Sequence, residues 1–286
     1  MGHRAKILAV AVISVVVVSG LSGCQPKTAR YVALGDSYTA GPLIPKQTLE
    51  PLGCLRSDHD YPSLIGANLN EPVKDVSCSG ADTADMFAAQ GVTPGPNPAQ
   101  LDALDANVKV VTLQIGGNDI GFSSIVKTCI KLNPFDAPCR DTYVTGAGDQ
   151  LANNIANTKP KLAAVIKEIH KRAPKAKVLV AGYPTVLPAT GNGCWPAVPI
   201  LPADVTYLRG VYTGLNSMIK AAASENGATY VDLATSTVGH DACSNDKWVE
   251  GVIPAELKAA PVHPNLKGMI AAVAVLQPKV QAALNS

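Results

Sequence analysis

The sequence predicts an α/β domain of three layers, a parallel five-stranded sheet with helices on both faces. Three observations carry this. Short apolar runs with strand character alternate along the chain with longer segments whose apolar residues recur at helical spacing. The run Val108 to Ile115 is rich in apolar and β-branched residues, the signature of a strand buried on both faces. Three such runs end in small-residue turns, at Gly35-Asp36-Ser37, Ser79-Gly80-Ala81 and Gly116-Gly117-Asn118-Asp119. Sites in parallel sheets form beyond the carboxyl ends of the strands, so these three turns should meet at one edge.

The first strand, Tyr31 to Leu34, runs directly into Ser37. Ala40 to Asp60, with its prolines, glycines and Cys54, reads as an irregular excursion. Tyr61 to Leu69 reads as a short helix, with Pro62 in its first turn and Leu64, Ile65 and Leu69 on one face. Val73 to Cys78 is the second strand and Val108 to Ile115 the third, followed by a helix over Gly121 to Ile130 and a loop to Gly148. Leu151, Ile155, Leu162, Val165, Ile166 and Ile169 define a helix that Pro160 should kink or divide. Lys177 to Ala181 is the fourth strand, and a Pro- and Gly-rich excursion containing Cys194 and Trp195 follows. Asp204 is the expected N-cap of a helix reaching Glu225, with Leu208, Val211, Leu215, Met218 and Ile219 inward. Ala228 to Leu233 is the fifth strand, and Asn265 should cap a closing helix through Leu276, with Pro278 kinking or ending it.

The chain begins with His3, Arg4 and Lys6 ahead of the apolar run Ile7 to Val18. That run falls short of the ~20 residues a spanning helix needs, so it reads as the core of a signal peptide. It ends in Leu21-Ser22-Gly23-Cys24, which resembles the lipobox of bacterial lipoprotein signal peptides. On this reading residues 1–23 are removed, Cys24 is lipidated and holds the exported protein to a membrane, 24–30 is a tether, and 31–286 is the domain. A plain secretory signal, with Cys24 incidental, is the alternative. Net charge is +2 and charged residues are 16%, so no nucleic-acid partner is expected. The basic cluster Lys171 to Lys177 reads as a solvated helix C-terminus. Cys54, Cys78, Cys129, Cys139, Cys194 and Cys243 are an even set suited to disulfides in an exported chain, their pairing left open by arithmetic. There is no Cys-x-x-Cys pair, and His59, His170 and His240 show no ligand spacing, so neither a metal nor another cofactor is expected.

Acyl transfer needs a nucleophile, a base to take its proton, and donors aimed at the oxygen that becomes negative. Ser37 fits the first role and His263 the second. The backbone N–H groups of Ser37 and Gly80 and the side-chain amide of Asn118 fit the third: glycine lets an ester carbonyl approach closely, and Asn donates without charge. Asp36 and Asp119 read as turn and capping carboxylates.

Gly35-Asp36-Ser37, Gly80, Gly117-Asn118-Asp119 and His263 stand in the order of the four blocks of the SGNH (GDSL) hydrolases, which the chain resembles from Tyr31 to the closing helix. The resemblance is nearest to the secreted bacterial lipases and esterases of that superfamily. It implies a flavodoxin-like core under long loops, three sequential disulfides (Cys54–Cys78, Cys129–Cys139, Cys194–Cys243), Ser37 as nucleophile, Gly80 and Asn118 with the Ser37 amide as oxyanion hole, and His263 as base. No Gly-x-Ser-x-Gly elbow occurs, which argues against the α/β-hydrolase class. One position departs from the pattern. The family usually has an Asp three residues before the His, and here that residue is Ala260. The expectation is a Ser37–His263 dyad oriented by the Ala260 main-chain carbonyl and stiffened by Pro261 and Pro264, with Asp241 or Asp246 as rival acids.

The substrate expected is an acyl ester, either a lipid or a small lipophilic ester, and a monomer suffices for this site. Carbohydrate O-deacetylation or thioester hydrolysis on the same fold is the alternative, because fold does not set substrate. A ligand-binding lipoprotein without chemistry is the reading from a different class. Trp195 and the Pro-rich loops would line an acyl pocket or cover it.

Overall fold

The computed structural model describes residues 1–2, 29–253 and 258–286. The apolar run of the leader, its lipobox and Cys24 lie outside them. Strand β1 (Tyr31–Gly35) leads through a tight turn into a one-turn helix α1 (Ser37–Ala40). Helix α2 (Tyr61–Leu69) starts at Asp60, whose carboxylate accepts from the Ser63 N–H, and precedes β2 (Val73–Asp75). Next come β3 (Val110–Gln114), α3 (Phe122–Cys129) and α4 (Arg140–Tyr143), then a small ribbon of β4 (Val144–Thr145) and β5 (Gly148–Asp149). Helix α5 (Gln150–Arg172), strand β6 (Lys177–Ala181), helix α6 (Pro202–Glu225), strand β7 (Thr229–Val231) and helix α7 (Leu266–Leu284) complete the chain.

The main sheet has the order β2-β1-β3-β6-β7, and every pairing in it is parallel. This is the predicted five-stranded α/β class. Its two faces follow the period of two along each strand. Tyr31 and Ala33 of β1, Val110 of β3, and Leu179 and Ala181 of β6 pack with residues of α7. Val32 and Leu34, Val111 and Leu113, and Val178 and Val180 pack on the opposite face with residues of α5 and α6. Chain connections leave β1 and β3 toward different faces, so the crevice between their carboxyl ends is the switch point where α/β sheets carry their sites.

Neither Pro160 nor Pro278 divides or ends its helix, and one expected N-cap changes. Helix α5 is unbroken at Pro160, and its N-cap Asp149 accepts from the Leu151 and Ala152 N–H groups. Pro160 is exposed while Thr158, Leu162, Val165 and Ile166 are buried, so packing retains a helix that proline alone would interrupt. Helix α7 likewise continues past Pro278 to Leu284, with Val280, Ala283 and Leu284 buried. Asp204 is not the N-cap of α6: the helix begins after Leu201 with Pro202 in its first turn, where a missing N–H costs nothing. The buried Asp204 carboxylate instead accepts from the Cys139 and Arg140 N–H groups, each at 2.9 Å, and so anchors the loop after α3. The disulfides are Cys54–Cys78, Cys129–Cys139 and Cys194–Cys243, as the resemblance implied, and all three brace loops at the carboxyl side of the sheet. Such bridges belong to a chain that folds in an oxidising, extracytoplasmic compartment.

Candidate active site

Ser37 is the first residue of α1 and is largely buried. Its turn is held from several sides. The Asp36 side chain accepts from the Tyr38 N–H at 2.9 Å, which caps the helix. Buried Gln100 clamps the preceding residue, accepting from Gly35 N–H at 2.8 Å and donating to Gly35 O at 2.9 Å. A side chain at Gly35 would lie 2.3 Å from Thr39 Oγ1 and 2.8 Å from Gln114 O, so only glycine allows the strand to turn this tightly.

The other blocks arrive at the same edge. The Cys78 N–H donates to Gly35 O at 3.0 Å, so the chain beyond β2 runs alongside the serine turn. Gly80 follows at φ 82°, with no neighbour of a would-be Cβ closer than 3.7 Å, so its backbone conformation rather than crowding inside the protein calls for glycine. Asn118 Nδ2 donates to Ala81 O at 2.8 Å, which orients the amide and leaves its second hydrogen for another acceptor. Asp119 ties these two blocks together, accepting from both the N–H and the hydroxyl of Thr83. Asp36 and Asp119 thus hold turns, as the sequence suggested, but Asp36 does more. The Tyr183 hydroxyl donates to Asp36 and accepts from the Gly117 N–H at 2.7 Å, so one phenol links the serine turn to the Asn118 turn. Burial pushes the Asp36 carboxyl up to about 7, opposed by these hydrogen bonds.

His263 comes from the irregular segment between β7 and α7. Its Nε2 lies 2.8 Å from Ser37 Oγ, and its Nδ1 lies 2.8 Å from Pro261 O. The orienting carbonyl is therefore that of Pro261 and not of Ala260. Ala260 O is occupied otherwise, accepting from the His263 backbone N–H at 3.2 Å in a tight turn that brings the ring round onto the nearer carbonyl. Neither rival acid reaches the ring. Asp241 accepts from the Cys243 N–H at 2.9 Å, and Asp246 pairs with Lys267 at 2.5 Å and with His240 at 3.3 Å. Burial lowers the His263 pKa below the ordinary histidine value, while the bond to Pro261 O acts in the opposite sense.

Beside Ser37 opens a cleft lined by Tyr38, Gly117, Asn118, Phe122 and Tyr183. Through the shared residues Phe122, Val186, Tyr212 and Leu215 it adjoins an apolar cavity of about 110 Å³. Ile125 and Val126 of α3, Val198 and Ile200 of the excursion after β6, and Leu208 and Val211 of α6 wall that cavity. Trp195 lies outside this wall and acts as a tie, its Nε1 donating to Lys131 O at 2.9 Å. The sequence reasoning passed over Tyr38 and Tyr183. The first was adjacent to Ser37 and in view; nothing in the spacing marks the second.

The structure thus brings together a serine at a strand end, an imidazole on its hydroxyl, and glycine and asparagine turns beside it. The chain belongs to the GDSL-like lipase/acylhydrolase family, whose model matches residues 33–270. It is 39% identical to "Lipase 2" of Streptomyces coelicolor over 249 residues, covering 84% of this chain and 82% of that protein. Among solved structures it resembles phospholipase A1 from Streptomyces albidoflavus (TM-score 0.74, 29% identity, 87% of this chain and 98% of that one). It also resembles the extracellular lipase of Streptomyces rimosus (TM-score 0.70, 26% identity, 88% and 98%). The protein is a carboxylic ester hydrolase.

Proposed function

We propose that the protein is a serine lipase or esterase that cleaves lipophilic acyl esters through an acyl-enzyme on Ser37. The observation that carries this reading is the 2.8 Å contact between Ser37 Oγ and His263 Nε2, with Ser37 in a cleft that adjoins an apolar cavity. With Nδ1–H donated to Pro261 O, Nε2 is the acceptor tautomer and takes the serine proton as Oγ attacks the ester carbonyl. The developing oxyanion meets the Ser37 and Gly80 N–H groups and Asn118 Nδ2. The imidazolium then gives its proton to the leaving alcohol, and water reverses the sequence to free the acid. A carbonyl orients the ring but stabilises the imidazolium less than a carboxylate would.

The cavity supports an acyl chain longer than acetyl, and it is this apolar wall that favours a lipase or esterase over a carbohydrate deacetylase. Hydrolysis of p-nitrophenyl esters from acetyl to palmitoyl, by the protein and by Ser37→Ala, tests the reading. Turnover that depends on Ser37 and rises beyond acetyl is expected. A preference for acetyl would move the assignment to O-deacetylation, and no turnover by folded protein would move it to ligand binding. We further read the leader as a lipoprotein signal with lipid on Cys24, which tethers the exported enzyme to a membrane. Membrane fractionation checks this: Cys24→Ser should release the protein, and membrane retention of that variant would refute the anchor.

A further inference from the structure

We propose that Tyr38 is the positioning residue of His263, its hydroxyl holding the histidine loop in the one backbone geometry from which the ring reaches Ser37. The inference rests on the reading of His263 as the base. Tyr38 follows Ser37 in the same turn of α1 and is almost fully buried. Its hydroxyl donates to the carbonyl of Val262 at 2.7 Å, so the nucleophile's own helix grips the residue immediately before the base.

That residue is strained. Val262 has φ 62°, a left-handed conformation that β-branched side chains rarely adopt and that persists only where the surroundings enforce it. Its side chain is buried in the wall of the apolar cavity. The backbone around it is pinned on both sides: Ala260 N–H donates to Pro42 O at 2.9 Å, and Glu250 N–H to His263 O at 2.9 Å. Between these pins the Val262 N–H donates to Gly251 O at 3.3 Å, and Tyr38 supplies the shorter tie, on the carbonyl of the peptide whose rotation would swing the imidazole.

The tyrosine is itself immobilised. Its ring packs edge-on against Phe122 (centroids 5.8 Å apart, 85° between planes) and Tyr183 (5.0 Å, 84°), and lies 5.0 Å from the His263 ring. Burial raises the phenol's pKa, which keeps the hydroxyl protonated and able to donate. In an enzyme with a carboxylate on Nδ1, that group would fix the ring directly. Here Nδ1 meets a carbonyl two residues away on the same loop, so the loop's own conformation sets the ring, and Tyr38 sets the loop.

The test is Tyr38→Phe, which keeps the ring packing and removes only the hydroxyl. With a p-nitrophenyl butyrate substrate, kcat should fall about 10- to 100-fold, the cost of a reacting group displaced by roughly an ångström. KM should stay within about two-fold, because the change removes one hydroxyl and keeps the ring that lines the cleft. The acid limb of the kcat/KM profile should move to higher pH, as a less confined imidazole returns toward its ordinary value. In a Val262→Gly background, where glycine adopts the same φ without side-chain strain, the same Tyr38→Phe change should cost less than about three-fold. An unchanged kcat and acid limb in Tyr38→Phe would overturn the proposal. So would a loss of equal size in both backgrounds that tracks a fall in thermal stability, since that would mark a merely structural tyrosine. Failure of the underlying reading shows separately, as full turnover in His263→Ala.

Discussion

Ser37 stands at the end of a buried strand, fixed by the sheet, by Gln100 on the residue before it and by the Asp36 cap, whereas His263 stands on an irregular segment and is fixed by individual contacts. The first half of the site is a consequence of topology. Parallel strands bring Ser37, Gly80 and Asn118 to one edge whatever the loops do, and Asp119 and Tyr183 then stitch neighbouring turns. The second half depends on a carbonyl at Pro261, a left-handed valine and a tyrosine hydroxyl. Scaffold-set positions should therefore respond to mutation through lost chemistry, and loop-set positions through lost alignment.

The largest effect that sharpens this contrast is at the scaffold side. Asn118→Ala should lower kcat by about 10²- to 10³-fold with little change in KM, the cost of one oxyanion donor. A steady-state comparison that found KM raised and kcat intact would instead make Asn118 a ground-state contact. Next comes Tyr183→Phe, which removes both the bond from Gly117 and the bond to Asp36. Its expected costs are about 1–3 kcal/mol in urea unfolding, and a fall in kcat about an order of magnitude smaller than that of Asn118→Ala. Equal stability in the two proteins would break the stitching argument.

The pH dependence is a subtler probe of the loop side. In the proposed mechanism His263 must be neutral to accept the serine proton, and desolvation lowers its pKa. Activity should therefore persist as pH falls through the ordinary histidine range and decline only below it, in a profile of kcat/KM against pH. An acid limb at or above the ordinary value would contradict the half-buried, carbonyl-oriented ring. The smallest expected effects are those of Asp241→Asn and Asp246→Asn, each within about two-fold in kcat. Neither carboxylate bonds to the ring, and a drop of hundreds-fold in either variant would restore a triad.

The same contrast explains what could be read from the residues alone. Strand ends followed by small-residue turns were legible because period, burial and turn chemistry are local properties, and the topology does the rest. The order of the four blocks singles out Ser37, Gly80, Asn118 and His263 as candidates without any structure. The carbonyl partner of His263 was assigned to Ala260 because that position takes the family's aspartate. The choice between Ala260 and Pro261 turns on a single tight turn that spacing does not encode. Tyr183 was invisible for a related reason: its value lies in reaching Asp36 and Gly117, both distant in sequence. Helices α5 and α7 run on through Pro160 and Pro278 because buried residues on both sides hold them, while Pro202 in the first turn takes the start of α6 away from Asp204.

The most direct test of the whole account is to quench the reaction with p-nitrophenyl octanoate early and map the acylated peptide by mass spectrometry. The account predicts the octanoyl mass on the peptide containing Ser37, absent from Ser37→Ala and strongly reduced in His263→Ala. Turnover at full rate in Ser37→Ala, or an acyl group carried on a different residue, would contradict it.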